Sequence, residues 1–224
     1  MDKLFPYLLV ILIGYVFGCF NLAHWIARRK GVDILNKGSG NPGASNAMVL
    51  MGWKAGILVG AHDIGKAALA VWLCGLLFPE LPLAREIAGV ACIFGHLYPA
   101  QFRFRGGKGF ASTLGMIAML NWRFALAVVI ATVLLILITD YIVTATAATV
   151  VSYPAYCLFT HQYAAAALMS ALALLILYKH RENFARILKG TEIGFRRSRG
   201  GQLREDGGIR TWIRRTVKDE DSSC

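Results

Sequence analysis

The chain alternates between long apolar runs and short polar segments. The first run, Leu4 to Ala23, holds 20 residues without a charged side chain, which is the length that a helix needs to cross the hydrocarbon core of a bilayer. It predicts a membrane helix from Leu4 to about Ala27, followed by the basic cluster Arg28, Arg29 and Lys30. A cleaved signal peptide would have a shorter apolar core and a small-residue cleavage site, so we interpret the run as a retained helix.

Two later runs are too long for a single crossing. Gly109 to Thr139 contains 31 residues with one charge, and Tyr141 to Tyr178 contains 38 residues without Lys, Arg, Asp or Glu. A helix rises about 1.5 Å per residue, so either run would overshoot the bilayer. Polar residues inside them predict turns from Asn121 to Arg123 and from Thr160 to Gln162.

Further helices are expected from about Met48 to Phe78 and from Ile87 to about Tyr98. The pattern therefore predicts an all-α polytopic membrane protein with about seven transmembrane helices. Basic residues favour the cytoplasmic side, so the cluster after the first helix predicts a periplasmic N-terminus and a cytoplasmic C-terminus. We expect residues 1–192 to form the membrane domain and residues 193–224 a basic, loosely ordered cytoplasmic tail.

Composition supports this class of protein. With 56% hydrophobic residues, 17% charged residues and a mean hydropathy of +0.52, the chain is not an ordinary soluble domain. The net charge of +11 comes from Lys and Arg beside the ends of apolar runs. This distribution indicates anionic lipid and phosphate as partners, because nucleic-acid binding favours one basic face with interleaved aromatics. The five cysteines lack the spacing of metal ligands.

The segment Lys37 to Asn46, KGSGNPGASN, has the composition of an anion-binding loop. Its glycines let the backbone turn through positive φ and direct several N–H groups at one point, and Pro42 disfavours a helix. The candidate phosphate ligands are Gly38, Ser39, Gly40, Asn41, Gly43 and Asn46. A flexible connection between helices is the alternative.

A second polar segment, Gly95 to Ala111, carries Lys108 among glycines. Phe110 begins the next apolar run, so the lysine would lie at a helix N-terminus, where backbone donors and the helix dipole favour an anion. The glycines that we include in the candidate site are Gly106, Gly107 and Gly109. A basic anchor would explain the charge, but it does not require glycine on both sides of a lysine. His96 is either a hydrogen-bonded structural residue or a base.

Charged residues also follow the last apolar run, from Lys179 to Glu192. Asn183 and Arg186 are three positions apart and share a helical face, although an amphipathic cytoplasmic helix explains the charges of this segment equally well. Asp63 and Lys66 also share a face, inside the second predicted helix. They form either a structural ion pair or part of a site, since ionisable groups are costly in lipid.

Together these segments resemble the bacterial acyl-phosphate:glycerol-3-phosphate acyltransferase family, PlsY. The resemblance covers Leu4 to Glu192 and rests on GSGNPGASN, HDIGK, GHLYPAQFRFRGGKGFA and HRENFARILKGTE, in this order. It implies a seven-helix enzyme of the bacterial inner membrane whose active site faces the cytoplasm. The enzyme would transfer a fatty acyl group from acyl phosphate, and not from acyl-CoA or acyl carrier protein, to the sn-1 hydroxyl of glycerol 3-phosphate. The product would be lysophosphatidic acid for phospholipid synthesis.

The resemblance also implies site roles, without a cofactor or metal, and a functional link to an enzyme that produces acyl phosphate. It implies catalytic roles for Ser39, His96, Lys108 and Asn183. It implies substrate binding by the glycines and asparagines named above and by Asp63, Lys66, Arg186 and Glu192. The chain departs from the family at Val49, where an arginine is usual. Either Lys54 or Arg186 would replace that contact, or glycerol 3-phosphate would bind more weakly.

Acyl phosphate is already activated, because phosphate leaves as a stable anion. We therefore expect direct attack by the glycerol hydroxyl, without a covalent enzyme intermediate. The proton would pass to the substrate's own phosphate or to His96. From the residues alone, a transporter for a phosphorylated small molecule is the alternative, but it would need polar groups spread toward the membrane midplane. Most polar candidates lie instead at predicted cytoplasmic helix ends, which favours an enzyme.

Overall fold

The computed structural model describes residues 4–195, and within that range the protein contains α-helices, one short 3-10 turn and no strand. The initial residues 1–3 and the tail from residue 196 lie outside it, so the expected loose order of the tail stays a prediction. The helices are α1 (Leu4–Cys19), α2 (Leu22–Arg29), α3 (Ala44–Met51), α4 (Trp53–Leu77), α5 (Ala84–Leu97), α6 (Phe110–Leu120), α7 (Trp122–Thr139), α8 (Ile142–Phe159), α9 (Tyr163–Lys179) and α10 (Arg181–Leu188).

Several helices are long and apolar enough to cross a membrane. Within residues 4–195 four stretches meet this criterion: α1 with α2, α4, α7 and α8. A fifth is added if α9 and α10, which bend by 51° at their junction, count as one span. Helices α5 and α6 have only 14 and 11 residues. The prediction of an all-helical, multi-pass membrane fold is confirmed at this level.

The two turns predicted inside the long apolar runs are both present. Helix α6 ends before Asn121, whose side-chain oxygen accepts a hydrogen bond from the Phe124 N–H at 3.0 Å and caps α7. Helix α8 ends at Phe159, and α9 begins at Tyr163. At the first of these turns, capping by Asn121 satisfies a free backbone donor at the start of α7, which explains why a new helix begins there.

Two helices predicted as continuous are broken. The expected helix from Leu4 to Ala27 stops at Cys19, because the buried Asn21 caps a new helix by accepting from the His24 N–H at 3.2 Å. The expected helix from Met48 to Phe78 is interrupted by Gly52, whose φ of 93° and ψ of 165° are accessible mainly to glycine. The two breaks separate the short helices α2 and α3 from α1 and α4, and both short helices lie at the polar end of the bundle.

Helices α1 and α5 pack with their backbones close together. A Cβ atom at Gly14 would meet the carbonyl of Ala88, and one at Gly18 would meet the carbonyl of Cys92. The side of α5 that faces α1 carries a third such position, Gly95. Small residues spaced four apart allow this approach in membrane helices, where van der Waals packing replaces the hydrophobic effect between helices. The contact fixes α5, and with it His96, in the interior.

The outward helix faces are apolar, as expected for contact with lipid. On α7, Leu126, Ile130 and Leu134 are exposed, whereas the opposite face buries Ala125 and Val128. Among the described residues the largest interior apolar cluster is formed mainly by α5, α6, α8 and α9, with Val71 of α4 and Ala125 of α7. The bundle is therefore apolar on its outside as well as in its interior, because lipid accepts the large apolar side chains that water would reject.

The chain beyond α10 turns back over that helix. The Thr191 N–H donates to the Arg186 carbonyl at 2.8 Å, and the Phe195 N–H donates to the Asp140 carbonyl at 2.7 Å. The first bond ties the start of this segment to α10, and the second ties its end to the turn that joins α7 and α8. Glu192 lies within this segment and is thereby held beside α10.

Candidate active site

Loop 1, residues 30–43, is held closed by a buried side chain of α3. Asn46 accepts from the Ser39 N–H at 3.0 Å and donates to the carbonyls of Ile34 and Lys37, each at 3.1 Å. Gly38 has a φ of 60°, and a Cβ there would run into the Asn46 amide. Since both of its amide hydrogens and its oxygen are committed, Asn46 is a loop-closing residue in this structure.

The sequence prediction for loop 1 was wrong in two respects. Gly38 and Gly40 have positive φ as expected, but Gly43 is extended, with φ −130° and ψ 178°, and caps α3. The segment is not helix-free either, because α3 already begins at Ala44. The backbone N–H groups of Ser39, Gly40 and Gly43 are bonded within the segment itself. Among the donors that stay available to a ligand are the exposed Ser39 hydroxyl, the Asn41 side-chain amide and the first turn of α3.

Helix α2 links loop 1 to loop 2, residues 98–109. The Asn21 amide donates to the Pro42 carbonyl of loop 1 at 3.3 Å. One turn later, the His24 Nε2 lies 3.1 Å from the Arg105 carbonyl of loop 2, and its ring stacks on Phe102 with centroids 4.0 Å apart. Both loops thus lie at the same end of the bundle. The sequence interpretation missed these two residues, although each is a polar side chain at the end of an otherwise apolar run.

Loop 2 folds against the end of α5 because it is rich in glycine. The Gly107 N–H donates to the His96 carbonyl at 3.0 Å, and the Gly106 N–H donates to the Leu97 carbonyl at 3.2 Å. A Cβ at Gly107 would collide with the His96 imidazole, so only glycine permits this approach. Gly109, with a φ of 91°, then caps α6. The predicted position of Lys108 at a helix N-terminus is confirmed.

Lys108 belongs to a polar network with the segment after the last apolar helix. It donates to the Asn183 side-chain oxygen, and the Asn183 amide donates to Glu192 Oε1 at 2.6 Å. Arg186 Nε lies 2.6 Å from the other Glu192 oxygen. The predicted shared face of Asn183 and Arg186 is confirmed, since both side chains reach one carboxylate.

The electrostatics of this network favour an anion. Lys108 and Arg186 supply two positive charges, whereas Glu192 supplies one negative charge. Burial, reinforced by the nearby Arg186 guanidinium, lowers the pKa of Lys108 below that of an ordinary lysine. A cation in this position gains from an anionic ligand, because the ligand replaces the water that burial has removed.

Asp63, Lys66 and His96 form a second cluster, which is buried between α4 and α5. Lys66 Nζ lies 2.8 Å from Asp63 Oδ1 and 2.8 Å from His96 Nδ1, and it donates to the Phe20 carbonyl at 2.8 Å. The three side chains are only 3% to 5% exposed. The predicted ion pair of Asp63 with Lys66 is present. The contact of this pair with His96 was not predicted, because nothing in the local spacing pairs residues 30 positions apart.

The candidate residues therefore lie at one end of the bundle in two groups. The loops and the Lys108 network form one group, and the buried cluster of Asp63, Lys66 and His96 forms the other. Within residues 4–195, direct hydrogen bonds join the second and third sequence segments through Lys108 and Asn183, whereas loop 1 is connected to them through α2. Arg186, one of the two cations considered as a replacement for the family's arginine at Val49, is paired with Glu192. The other, Lys54, is exposed and lies over the Trp53 ring.

Comparison with known proteins gives a consistent result. The family model described as glycerol-3-phosphate acyltransferase matches residues 8–190. The glycerol-3-phosphate acyltransferase 1 of Oceanobacillus iheyensis is 33% identical over 189 residues, which cover 81% of this chain and 91% of the relative. The glycerol-3-phosphate acyltransferase of Shouchella clausii is 36% identical over 191 residues, covering 81% and 92%.

Solved structures agree with the sequence matches. The glycerol 3-phosphate form of PlsY, an integral membrane glycerol 3-phosphate acyltransferase, superimposes with a TM-score of 0.79 at 30% identity, covering 84% of this chain and 95% of PlsY. Its lysophosphatidic acid form gives a TM-score of 0.76 at 29% identity, covering 86% and 97%. From the family model, the relatives and the shared fold, we conclude that this chain belongs to the glycerol-3-phosphate acyltransferase family.

Proposed function

We propose that this membrane enzyme transfers a fatty acyl group from acyl phosphate to the sn-1 hydroxyl of glycerol 3-phosphate, releasing phosphate and lysophosphatidic acid. Acyl transfer to glycerol 3-phosphate is the activity of its family, and the PlsY structures bear glycerol 3-phosphate or lysophosphatidic acid in their descriptions. The choice of acyl phosphate as donor is our inference. It rests on the resemblance of the polar segments to the acyl-phosphate:glycerol-3-phosphate acyltransferases, and the phosphate-binding groups of the site are compatible with it.

The observation that carries the proposal is the network of Lys108, Asn183, Glu192 and Arg186 at the start of α6. Its net charge is one positive unit, and the first N–H groups of α6 have no carbonyl partner inside the helix. A phosphoryl group placed there would be neutralised by Lys108 and oriented by Asn183. In this scheme Glu192 is the residue that fixes Arg186 and Asn183 relative to each other.

Loop 1 contributes the other side of the phosphate site. The exposed Ser39 hydroxyl and the Asn41 amide are the polar side chains that we assign to substrate contact. Asn46 acts indirectly, because its hydrogen bonds to the loop fix Ser39. Gly38, Gly40 and Gly43 shape the turn. This assignment replaces the direct phosphate contact expected for Asn46 from the resemblance.

The chemistry needs little beyond positioning and charge neutralisation. The sn-1 oxygen of glycerol 3-phosphate attacks the acyl carbon, the bond from that carbon to the phosphate oxygen breaks, and an ester forms. The hydroxyl proton passes to a phosphate oxygen of the substrate, and inorganic phosphate leaves. Lys108 and the α6 amides stabilise the charge that accumulates on the phosphate oxygens.

The proposal includes a membrane topology. Seven spans, formed by α1 with α2, α4, α5, α6, α7, α8 and α9, place the N-terminus in the periplasm and the polar end in the cytoplasm of a bacterial inner membrane. The acyl tail of the donor stays in the lipid, while soluble glycerol 3-phosphate enters from the cytoplasm. An enzyme that produces acyl phosphate must supply the donor.

The donor assignment is tested by presenting three donors in parallel to the purified protein with labelled glycerol 3-phosphate. We expect labelled lysophosphatidic acid from palmitoyl phosphate, and none from palmitoyl-CoA or palmitoyl carrier protein. Product only from palmitoyl-CoA would reject the donor. Absence of product with every donor, from protein that elutes as a single folded species, would reject the enzyme assignment and favour a transporter for a phosphorylated molecule.

A further inference from the structure

The ammonium group of Lys66 has three close partners in the buried cluster. It hydrogen-bonds with the Phe20 carbonyl and with His96 Nδ1, and it forms an ion pair with Asp63 Oδ1; each of these atoms lies 2.8 Å from Nζ. A protonated lysine has three N–H donors and no acceptor. The geometry therefore matches a charged Lys66 that is fully used by its neighbours.

This arrangement fixes where the proton of His96 resides. Two groups face the imidazole Nδ1: Lys66 Nζ at 2.8 Å and Asp63 Oδ1 at the longer distance of 3.4 Å. Because a charged Lys66 can only donate, Nδ1 accepts from this closer partner, and the remaining ring proton is then on Nε2. Asp63 balances the charge of Lys66, so the cluster is neutral overall and needs no further charge on His96. His62, which also faces Asp63, is 3.6 Å away and does not compete for Nδ1.

The protonated nitrogen is directed at loop 2. His96 Nε2 is the ring atom nearest to the position that a Cβ on Gly107 would occupy. Because residue 107 is glycine, no side chain lies between this nitrogen and loop 2, one residue before Lys108, and the buried ring faces the loop backbone at this point. The ring is held by its other nitrogen and by the bond from the Gly107 N–H to the His96 carbonyl.

We propose that His96 is a neutral hydrogen-bond donor, locked as the Nε2–H tautomer by Lys66 and Asp63, and that it donates to a phosphate oxygen of the bound substrate. The inference rests on the proposed function for the identity of the ligand. In this state His96 cannot act as a general base, because Nε2 already carries a proton and Nδ1 already accepts a hydrogen bond from Lys66. Lys66 and Asp63 are positioning residues that act through His96, and the hydroxyl proton is left to the substrate's own phosphate.

The tautomer can be measured without any enzymatic activity. In ¹⁵N-histidine-labelled protein reconstituted in lipid, the His96 signals are assigned by their loss in His96→Gln. We expect an unprotonated Nδ1 and a protonated Nε2 at neutral pH. The reverse tautomer, or two protonated nitrogens, would overturn the inference.

The lock is tested by removing both charges together. In Asp63→Asn with Lys66→Met, no uncompensated charge is left buried, and we expect His96 to show both tautomers. A His96 spectrum identical to that of the unchanged protein would contradict a role for Lys66 in the lock.

Kinetics then separate a donor from a base. Gln can place an amide N–H near the position of Nε2, whereas Phe cannot, and neither can act as a base. We expect His96→Gln to keep kcat within about tenfold of the original and His96→Phe to lose roughly 100-fold or more, with elution and Tm unchanged in both. Equal loss in both variants would indicate a base, and full activity in both would show that no donor is required; either result overturns the proposal. If the unchanged protein transfers no acyl group, the proposed function fails, while the tautomer measurement still decides the state of His96.

Discussion

Lys108 is the single residue on which the proposed phosphate site depends most. Its ammonium is part-buried, bonded to Asn183 and placed at the start of α6. We expect Lys108→Ala to lose a charge-assisted contact of roughly 1.5–3 kcal/mol, which lowers kcat/KM roughly 10- to 100-fold. Steady-state kinetics with palmitoyl phosphate and glycerol 3-phosphate measure this loss.

Lys189→Ala is the matched control for that substitution. Lys189 is exposed at the end of α10, so its removal deletes a cation from the same end of the molecule without touching the network. We expect near-normal kinetics from this variant. If Lys108→Ala behaved like the control, Lys108 would not be the phosphate-neutralising residue.

The lowered pKa of Lys108 predicts a pH dependence. Its cause is burial, with the Arg186 guanidinium nearby as a second contribution. As pH rises, Lys108 loses its charge earlier than an exposed lysine would, so the phosphate oxygens that it neutralises are stabilised less and kcat/KM falls on the alkaline side. Arginine stays charged at these pH values. Lys108→Arg should therefore move the alkaline fall to higher pH, and an unchanged profile in that variant would assign the fall to another group.

Gly107 must be glycine because its backbone lies against the His96 ring. A control substitution separates this requirement from a general intolerance of the protein to alanine. In Gly107→Ala the new methyl group would meet the His96 ring, so we expect a loss of about 1–3 kcal/mol in stability together with a loss of activity. Gly65→Ala in α4 is the control, because a Cβ there meets no atom within 4 Å. Thermal unfolding and activity that stay normal in Gly107→Ala would contradict the observed packing of loop 2.

At the scale of elements, helix starts and turns were predictable where the signal is local. Asn121 is a strong helix cap, and the glycines before Phe110 mark the start of α6, so both boundaries followed from neighbouring residues. The breaks at Asn21 and Gly52 were missed because each lies within a run whose hydropathy favours one continuous helix. The side-chain oxygen of Asn21 caps α2, and its amide group donates to the Pro42 carbonyl, which is 21 positions away in the sequence.

The functional contacts were predictable only in part. Glycine content and charge identified the three polar segments, and the spacing of Asn183 and Arg186 identified their shared face. The joining of Lys66 to His96, and of Gly107 to the same ring, depends on how α4, α5 and loop 2 pack. Such contacts arise from tertiary structure, so a single sequence without that packing cannot specify them.

The position of Asn21 predicts that a residue outside the three polar segments supports loop 1 and so affects substrate binding. Asn21→Ala removes the cap of α2 and leaves the Pro42 carbonyl without its amide donor. We expect a loss of roughly 1–3 kcal/mol in stability and a higher KM for glycerol 3-phosphate, because loop 1 loses its support. Thermal unfolding and kinetics measure both effects.

The matched substitution for this test is Asn36→Ala. Asn36 is also in the polar end of the chain, but it is exposed and donates only to Asp33 at 2.8 Å. It should change stability and KM little. An Asn21→Ala variant with an unaltered KM would show that α2 does not position loop 1 for binding.

At the scale of the whole molecule, lipid-facing apolar surfaces and polar residues adjoin at one end of the helical bundle. The outward faces of α4 and α7 are apolar, as in Trp72, Leu69, Leu126 and Ile130, whereas Ser39, Lys108 and Arg186 gather where helices end. An acyl donor has the same division, with an apolar tail and a charged head. The fold therefore suits a reaction that joins a lipid-soluble donor to a water-soluble acceptor, without a water-filled path across the membrane.

The central claim is that loop 1 and loop 2 bind substrate together on the cytoplasmic side of the membrane. Its most direct test is labelling of single cysteines with a membrane-impermeant maleimide in sealed vesicles of known orientation. On a cysteine-free background, Ser39→Cys and Lys108→Cys report the two loops, and Glu80→Cys in the exposed turn between α4 and α5 reports the opposite end. We expect the first two to react only in inside-out vesicles, with glycerol 3-phosphate slowing both reactions, and the third only in right-side-out vesicles. Reaction of Ser39→Cys and Lys108→Cys from opposite sides would contradict a shared site.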